Sequence, residues 1–123
     1  MSIIFVHYPR CTTCKRAQKV LDELGIVYTD RHIKEEPLTK DELVAAFKKS
    51  GLESKRFFNT SGQRYRELEL KDRLPEMSDD ERFELLATDG MLVKRPLLIG
   101  DDFCLVGFRE EDYRTKAAEI GKQ

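Results

Sequence analysis

Cysteine is scarce in these 123 residues, neither sign of charge is in excess, and no long hydrophobic run occurs. Each shortage closes a class of protein. Three cysteines, an odd number in a chain that is 37 % charged, do not make the framework of a small secreted disulfide protein, and 123 residues can bury one core without staples. With 22 basic against 23 acidic residues scattered along the chain, the net charge of −1 gives no electrostatic footprint for nucleic acid or a membrane surface. The first apolar run, residues 3–6, is too short for the core of a secretory signal. It has no basic residues before it and no small-residue cleavage site after it. No later run approaches the length that spans a bilayer. Repeats, linkers and low-complexity stretches are missing too. The expectation is one soluble, cytoplasmic domain over residues 1–123, in which thiols rest reduced and a disulfide is transient and functional.

The chain is organised around Tyr8-Pro9-Arg10-Cys11-Thr12-Thr13-Cys14-Lys15-Arg16, which holds two of the three cysteines. The mostly apolar run 3–8 before it reads as a buried parallel strand that Pro9 stops. After it, Ala17, Val20, Leu21 and Leu24 follow helical spacing, Thr12 or Thr13 offers a cap, and Gly25 offers a stop. Residues 26–33 return to strand chemistry, which makes a βαβ unit with a right-handed crossover. Glu35-Glu36-Pro37 breaks the pattern. Thr39 to Glu42 has capping-box spacing for a helix with Leu43, Ala46 and Phe47 inward, ended by Gly51. The signal weakens over 52–75, where helical pieces at 54–58 and 64–68 flank Asn59-Thr60-Ser61-Gly62. Ser78 to Glu81 repeats the capping box for a helix with Phe83, Leu86 and Ala87 inward, stopped at Asp89-Gly90. Residues 93–99 read as a strand, Gly100-Asp101-Asp102 as a hairpin turn, 103–106 as its partner strand, and 110–118 as a closing helix. The order is βαβ, an all-helical insertion at about 38–91, then ββα: an α/β fold with a mixed sheet flanked by helices.

A Cys-x-x-Cys at a helix start places both sulfurs on one face, and the free N–H groups and positive end of the helix favour a thiolate on the first. Arg10, Lys15 and Arg16 add positive charge. On this reading Cys11 is the nucleophile and Cys14 the resolving thiol. An inert pair of small half-buried residues and half of a zinc site are the alternatives, the latter lacking a second Cys-x-x-Cys or His pair. Arg95-Pro96 opens the third strand, where the proline can be cis. The arginine there binds an oxyanion or a substrate carboxylate, or simply stabilises the thiolate, or else is a surface residue before an edge-strand proline. Cys104, in the apolar run Phe103-Cys104-Leu105-Val106, reads as a core thiol. His7 and His32 have no carboxylate or cysteine at ligand spacing and read as satisfied or solvated rather than as bases. Phe57-Phe58-Asn59-Thr60-Ser61-Gly62 is either a lid over the cysteines or a loop anchored by its aromatics, and Lys48-Lys49 and Lys55-Arg56 read as solvated faces.

The Cys11-Thr12-Thr13-Cys14 turn, the Glu36-Pro37-Leu38 break, the Lys94-Arg95-Pro96-Leu97 strand start and the Val106-Gly107-Phe108 ending together resemble the arsenate reductase (ArsC)/Spx family over about residues 3–113. Phe57 to Gly62 and Tyr65-Arg66-Glu67-Leu68 are similar to signatures of its YusI-type branch. The resemblance implies a thioredoxin-like fold with a helical insertion. In the reductases it implies a first cysteine that attacks arsenate, glutathione and glutaredoxin as reductants, and three arginines around the oxyanion. Cys11 and Arg95 match the nucleophile and one arginine. The other two arginine positions fall at Asn59 and at about Gly107, with Arg64 and Arg66 as the nearby candidates to replace them, so the resemblance argues against arsenate reduction itself. In Spx proteins the same Cys-x-x-Cys is a redox switch in a regulator that binds the RNA polymerase α subunit, with a glycine at the contact near Gly51. Here the flanks of Gly51 differ from that pattern, and the basic tail is absent.

The leading expectation is therefore a thiol–disulfide oxidoreductase or reductase-like protein with Cys11, Cys14 and Arg95 at its site. It needs no bound cofactor or metal. Glutathione or another low-molecular-weight thiol, or a thioredoxin- or glutaredoxin-type partner, supplies electrons, and a thiol-containing protein is a possible substrate. The alternative is an Spx-like redox-sensing regulator.

Overall fold

The computed structural model describes residues 2–121. Strand β1 (Ile4–His7) leads through the cysteine turn into helix α1 (Thr12–Glu23), and β2 (Thr29–His32) follows. The insertion comprises α2 (Lys40–Ser50), a 3₁₀ turn (Ser54–Phe57), α3 (Gln63–Glu67), α4 (Leu70–Arg73), a second 3₁₀ turn (Leu74–Glu76), α5 (Asp79–Leu86) and a third (Gly90–Leu92). Strands β3 (Leu97–Ile99) and β4 (Cys104–Val106) form a hairpin, and α6 (Glu110–Gly121) closes the described chain. The sheet order is β2-β1-β3-β4. Strands β1 and β2 are parallel, while β1 with β3 and β3 with β4 are antiparallel.

Alternation along the strands divides the core between the two faces of this mixed sheet. Phe5 and Leu98 point to the side covered by α1 and α6, where they pack with Ala17, Leu21 and Tyr113. Val6 and Leu97 point to the side covered by the insertion, where they join Leu43, Phe57, Phe83 and Leu92. Phe47, Phe57 and Phe83 meet one another at centroid distances of 4.9–6.2 Å. Phe57 and Phe58 are both fully buried, so they anchor their loop and do not form a lid.

Both predicted capping boxes are present. Thr39 Oγ1 accepts the Glu42 N–H at 3.1 Å and Glu42 returns the bond to the Thr39 N–H, and Ser78 and Glu81 do the same. Gly51 ends α2 in the left-handed region, with φ of 71°. The Arg31 guanidinium of β2 clasps Glu42, holding that carboxyl below its ordinary range and tying the edge strand to α2.

Three expectations need correction. The second strand is not 26–33 but only Thr29–His32. Ile26 is used otherwise: its N–H bonds the Leu21 carbonyl while the Gly25 N–H, at φ of 70°, bonds Asp22, a paired closure of α1 that leaves Val27 88 % exposed. The third strand is also shorter than 93–99. Val93 instead bridges Phe58, flanked by bonds from Asn59 N–H to Leu92 O and from Lys94 N–H to Phe57 O. The insertion therefore contains a short extended pairing and is not all helical.

Candidate functional site

The helix cap differs from the sequence expectation. Neither threonine caps α1. The N-cap is Cys11, whose sulfur accepts the Cys14 N–H at 3.3 Å. The sulfur sits at the positive end of a twelve-residue helix with an N–H aimed at it. The Cys11 N–H bonds the Tyr8 carbonyl at 3.0 Å, which tightens the turn after Pro9. Cys11 is half-buried and Cys14 is 1 % exposed.

The two thiols are thus unequal. Burial is the largest influence on Cys14 and pushes its pKa from 9.0 to about 12, the hydrogen bond and charge of Cys11 push the same way, and the Tyr8 backbone and Arg95 oppose them. Cys14 rests protonated. Cys104 is buried in the face covered by the insertion, as expected of a core thiol, and burial raises it to about 12 as well.

Arg95 is half-buried rather than a free surface residue, and β3 lies inside the sheet, so Pro96 does not precede an edge strand. The Arg95-Pro96 peptide is cis. The guanidinium lies 5.3 Å from the Tyr8 ring centroid, its Nη1 makes long 3.4 Å contacts to the Met91 and Val93 carbonyls, and its buried Nε has no partner among the described residues. Tyr8 thus joins the parts of the site, since its backbone contacts both cysteines and its ring supports Arg95. Sequence reasoning placed Tyr8 only at a strand end. An aromatic beside the proline that opens the cysteine turn was the one available signal.

The remaining positions lie outside this arrangement. The Asn59 N–H bonds Leu92 O, and Asn59 packs against Gly62. Gly107 has φ of 78°, where an arginine would be strained. Arg64 pairs with Glu67 and Asp89, and Arg66 reaches the Ser61 carbonyl. His7 Nε2 meets Asp30 Oδ1 at 2.9 Å, a cross-strand partner that sequence spacing does not show. The Nδ1 of His32 accepts the N–H groups of Lys34 and Glu35. Lys49 donates to Gly100 O and Lys55 pairs with Glu53.

The raised thiols have a consequence for stability. A folded pKa above the unfolded one means that the folded state keeps a proton the unfolded state has lost, so stability is full below about pH 9 and falls as pH rises toward 12. Each thiol contributes a slope of about 1 kcal/mol per pH unit in that window. Urea unfolding across the window should show this decline, and Cys104→Ala should flatten it by one such share. An unchanged slope would mean that burial does not govern that thiol.

Comparison with known proteins gives a consistent picture. The ArsC family model matches residues 6–116. YusI of Bacillus subtilis is 52 % identical over 118 residues, covering 96 % of this chain and 100 % of YusI. The global transcriptional regulator Spx of Listeria innocua is 30 % identical over 107 residues, covering 86 % of this chain and 79 % of Spx. Among solved structures, a putative ArsC family related protein from Bacteroides fragilis superposes with a TM-score of 0.91 at 48 % identity, covering 94 % of this chain and 97 % of that one.

Proposed function

The chain belongs to the ArsC family, and on that footing we propose that it is a thiol–disulfide oxidoreductase in which Cys11 attacks and Cys14 resolves. The observation that supports this most is the asymmetry of the pair. One sulfur is half-buried and receives an N–H, while the other is buried beneath it and held protonated.

The Cys11 thiolate attacks one sulfur of a disulfide, forms a mixed disulfide and releases the other half as a thiolate, which takes a proton from water. Cys14 then gives its proton to water and attacks Cys11 Sγ, breaking the mixed disulfide, releasing the second half as a thiolate that water protonates, and leaving a Cys11–Cys14 disulfide. Two electrons have passed from the dithiol to the substrate. The charge of Cys11, one cause of the high pKa of Cys14, disappears once Cys11 is in the mixed disulfide. Cys14 is therefore easier to deprotonate when its attack is due, with Arg95 and the Tyr8 backbone favouring its anion. Glutathione or another low-molecular-weight thiol, or a thioredoxin- or glutaredoxin-type protein, returns the two electrons, and no bound cofactor takes part. Arsenate is not the proposed substrate, because of the three family arginine positions only Arg95 is filled, with Asn59 and Gly107 at the others.

A second reading, a redox-sensing regulator that docks on the RNA polymerase α subunit, has one feature in its favour. Gly51 is exposed, and a Cβ there would meet nothing within 4 Å, so the end of α2 is bare surface. The deciding experiment uses Cys14→Ser in a Cys104→Ser background. Mixed disulfides should accumulate on Cys11 and be identified by mass spectrometry. No adduct on Cys11 would sink the oxidoreductase. Binding of the polymerase α C-terminal domain that survives Gly51→Asn, which tolerates the left-handed backbone, but not Gly51→Arg, would favour the regulator.

A further inference from the structure

We infer that two adjoining hollows around α3 and α4 form a binding site for a nucleoside monophosphate. The site shares no residue with the cysteine turn or with Arg95, and it does not depend on the thiol chemistry above.

Buried Phe57 and Phe58 pin their loop to the core, which leaves the neighbouring Lys55, Arg56 and Thr60 exposed. These three meet Lys71 of α4 and Arg82 of α5 around a hollow of about 370 Å³, within the range of small-ligand sites. Tyr65, Leu74 and Pro75 give it an apolar wall, and no carboxylate lines it. In a chain with a net charge of −1, cations gathered here from three separate elements repel one another until an anion joins them. Two are answered from outside the hollow, Lys55 by Glu53 at 3.3 Å and Arg82 by Asp79 at 3.8 Å. Arg56 and Lys71 enter no ion pair among the described residues. Arg82 is fixed before any ligand arrives. Its Nε and Nη2 donate to the Leu74 carbonyl at 3.2 and 2.6 Å, and its Nη1 donates at 2.9 Å to the hydroxyl of Ser54, itself buried. A fixed guanidinium, two free cations and the Thr60 hydroxyl suit the dianion of a phosphate monoester.

The second hollow, about 330 Å³, shares Thr60, Tyr65 and Lys71 with the first and has a different character. Glu69 and Asp72 line it, and Arg66 in its lining is turned to the Ser61 carbonyl. Carboxylates there repel a phosphate but accept hydrogen bonds from hydroxyl and amino groups. The combined site thus has cations at one end, an aromatic ring in the middle and acceptors at the other end. A nucleoside monophosphate supplies the matching parts: a dianion, a flat base to stack on Tyr65, and ribose hydroxyls or ring amines as donors.

Calorimetry and amide chemical-shift mapping with AMP, adenosine and inorganic phosphate test this on the full chain. AMP should bind about tenfold tighter than phosphate, the scale of one base–aromatic stack. It should shift amides around residues 55–60, 65–72 and 82, leave 8–16 unmoved, and bind more weakly as salt rises. Tyr65→Leu should bring AMP down to the level of phosphate and leave phosphate itself unchanged. Arg56→Gln with Lys71→Gln should weaken AMP about tenfold, the scale of two exposed charge contacts, and leave adenosine within about twofold. Lys19→Gln with Lys48→Gln removes the same charge elsewhere and should leave AMP within about twofold of the native protein. No binding of AMP at millimolar concentration, AMP no tighter than phosphate, shifts centred on the cysteine turn, or an equal loss in both double variants overturns the site. Thiol exchange at Cys11 stands or falls separately.

Discussion

Cys11→Ser should abolish disulfide exchange, lowering the rate by about three orders of magnitude or more, because a neutral hydroxyl cannot replace a thiolate as the attacking group. Cys14→Ser should behave differently. It keeps the first attack within several-fold and loses turnover, since nothing then resolves the mixed disulfide. The same asymmetry should appear without mutation. Iodoacetamide on the native protein should label Cys11 while Cys14 and Cys104, 1 % and 4 % exposed with pKa values pushed up to about 12, stay protected until the chain unfolds. Peptide mapping after a short pulse gives the answer directly. Preferential labelling of Cys14, or a Cys11→Ser variant that still exchanges disulfides at the native rate, would reverse the assignment of the two thiols.

Gly90→Ala should be among the most damaging single changes in the chain. A Cβ at Gly90 would lie 2.1 Å from the Ile33 carbonyl oxygen and 3.0 Å from its carbon, both main-chain atoms that no rotamer change can move. Overpacking of this kind costs about 3 kcal/mol when the neighbour is a flexible side chain at worst, and rigid backbone puts the loss at that level or above. Gly25→Ala is the comparison. Its Cβ meets nothing within 4 Å, and only the left-handed backbone, φ of 70°, is penalised, by about 1 kcal/mol. Urea midpoints should rank the two in that order. A Gly90→Ala protein within about 0.5 kcal/mol of the native one would mean that the turn before Val93 does not press on Ile33.

The parts of the fold legible in the sequence were those set by local chemistry. Thr39 with Glu42 and Ser78 with Glu81 marked their helices correctly because a capping box is a contact over three residues, and Gly51 and Gly25 marked helix ends because backbone conformation selects glycine there. The errors came from competition between local motifs and tertiary partners. Ile26 has strand chemistry but is taken by the closure of α1, and Val93 is taken by Phe58, so both strands came out too long. The cysteine turn was legible as a motif. What could not be read was that Cys11 itself caps the helix, since Thr12 and Thr13 are the better local candidates. The place of Tyr8 between Arg95 and His32 was hidden for a different reason: it joins residues 24 and 87 positions away, and only the sheet order brings them together.

The cap on α1 also couples two properties that are usually separate. In most helices the capping atom is inert, so the stability of the first turn is a constant of the fold. Here the capping atom is the sulfur proposed as the nucleophile, and a sulfur accepts a hydrogen bond more strongly as a thiolate than as part of a disulfide. A helix cap is worth about 1 kcal/mol. To the extent that oxidation weakens the bond from the Cys14 N–H, that energy moves from secondary structure to redox poise, where 1 kcal/mol corresponds to about 20 mV for a two-electron couple. The reduced form gains, so the disulfide is the better oxidant, and amide exchange at Cys14 becomes a direct gauge of the oxidation state of its neighbour.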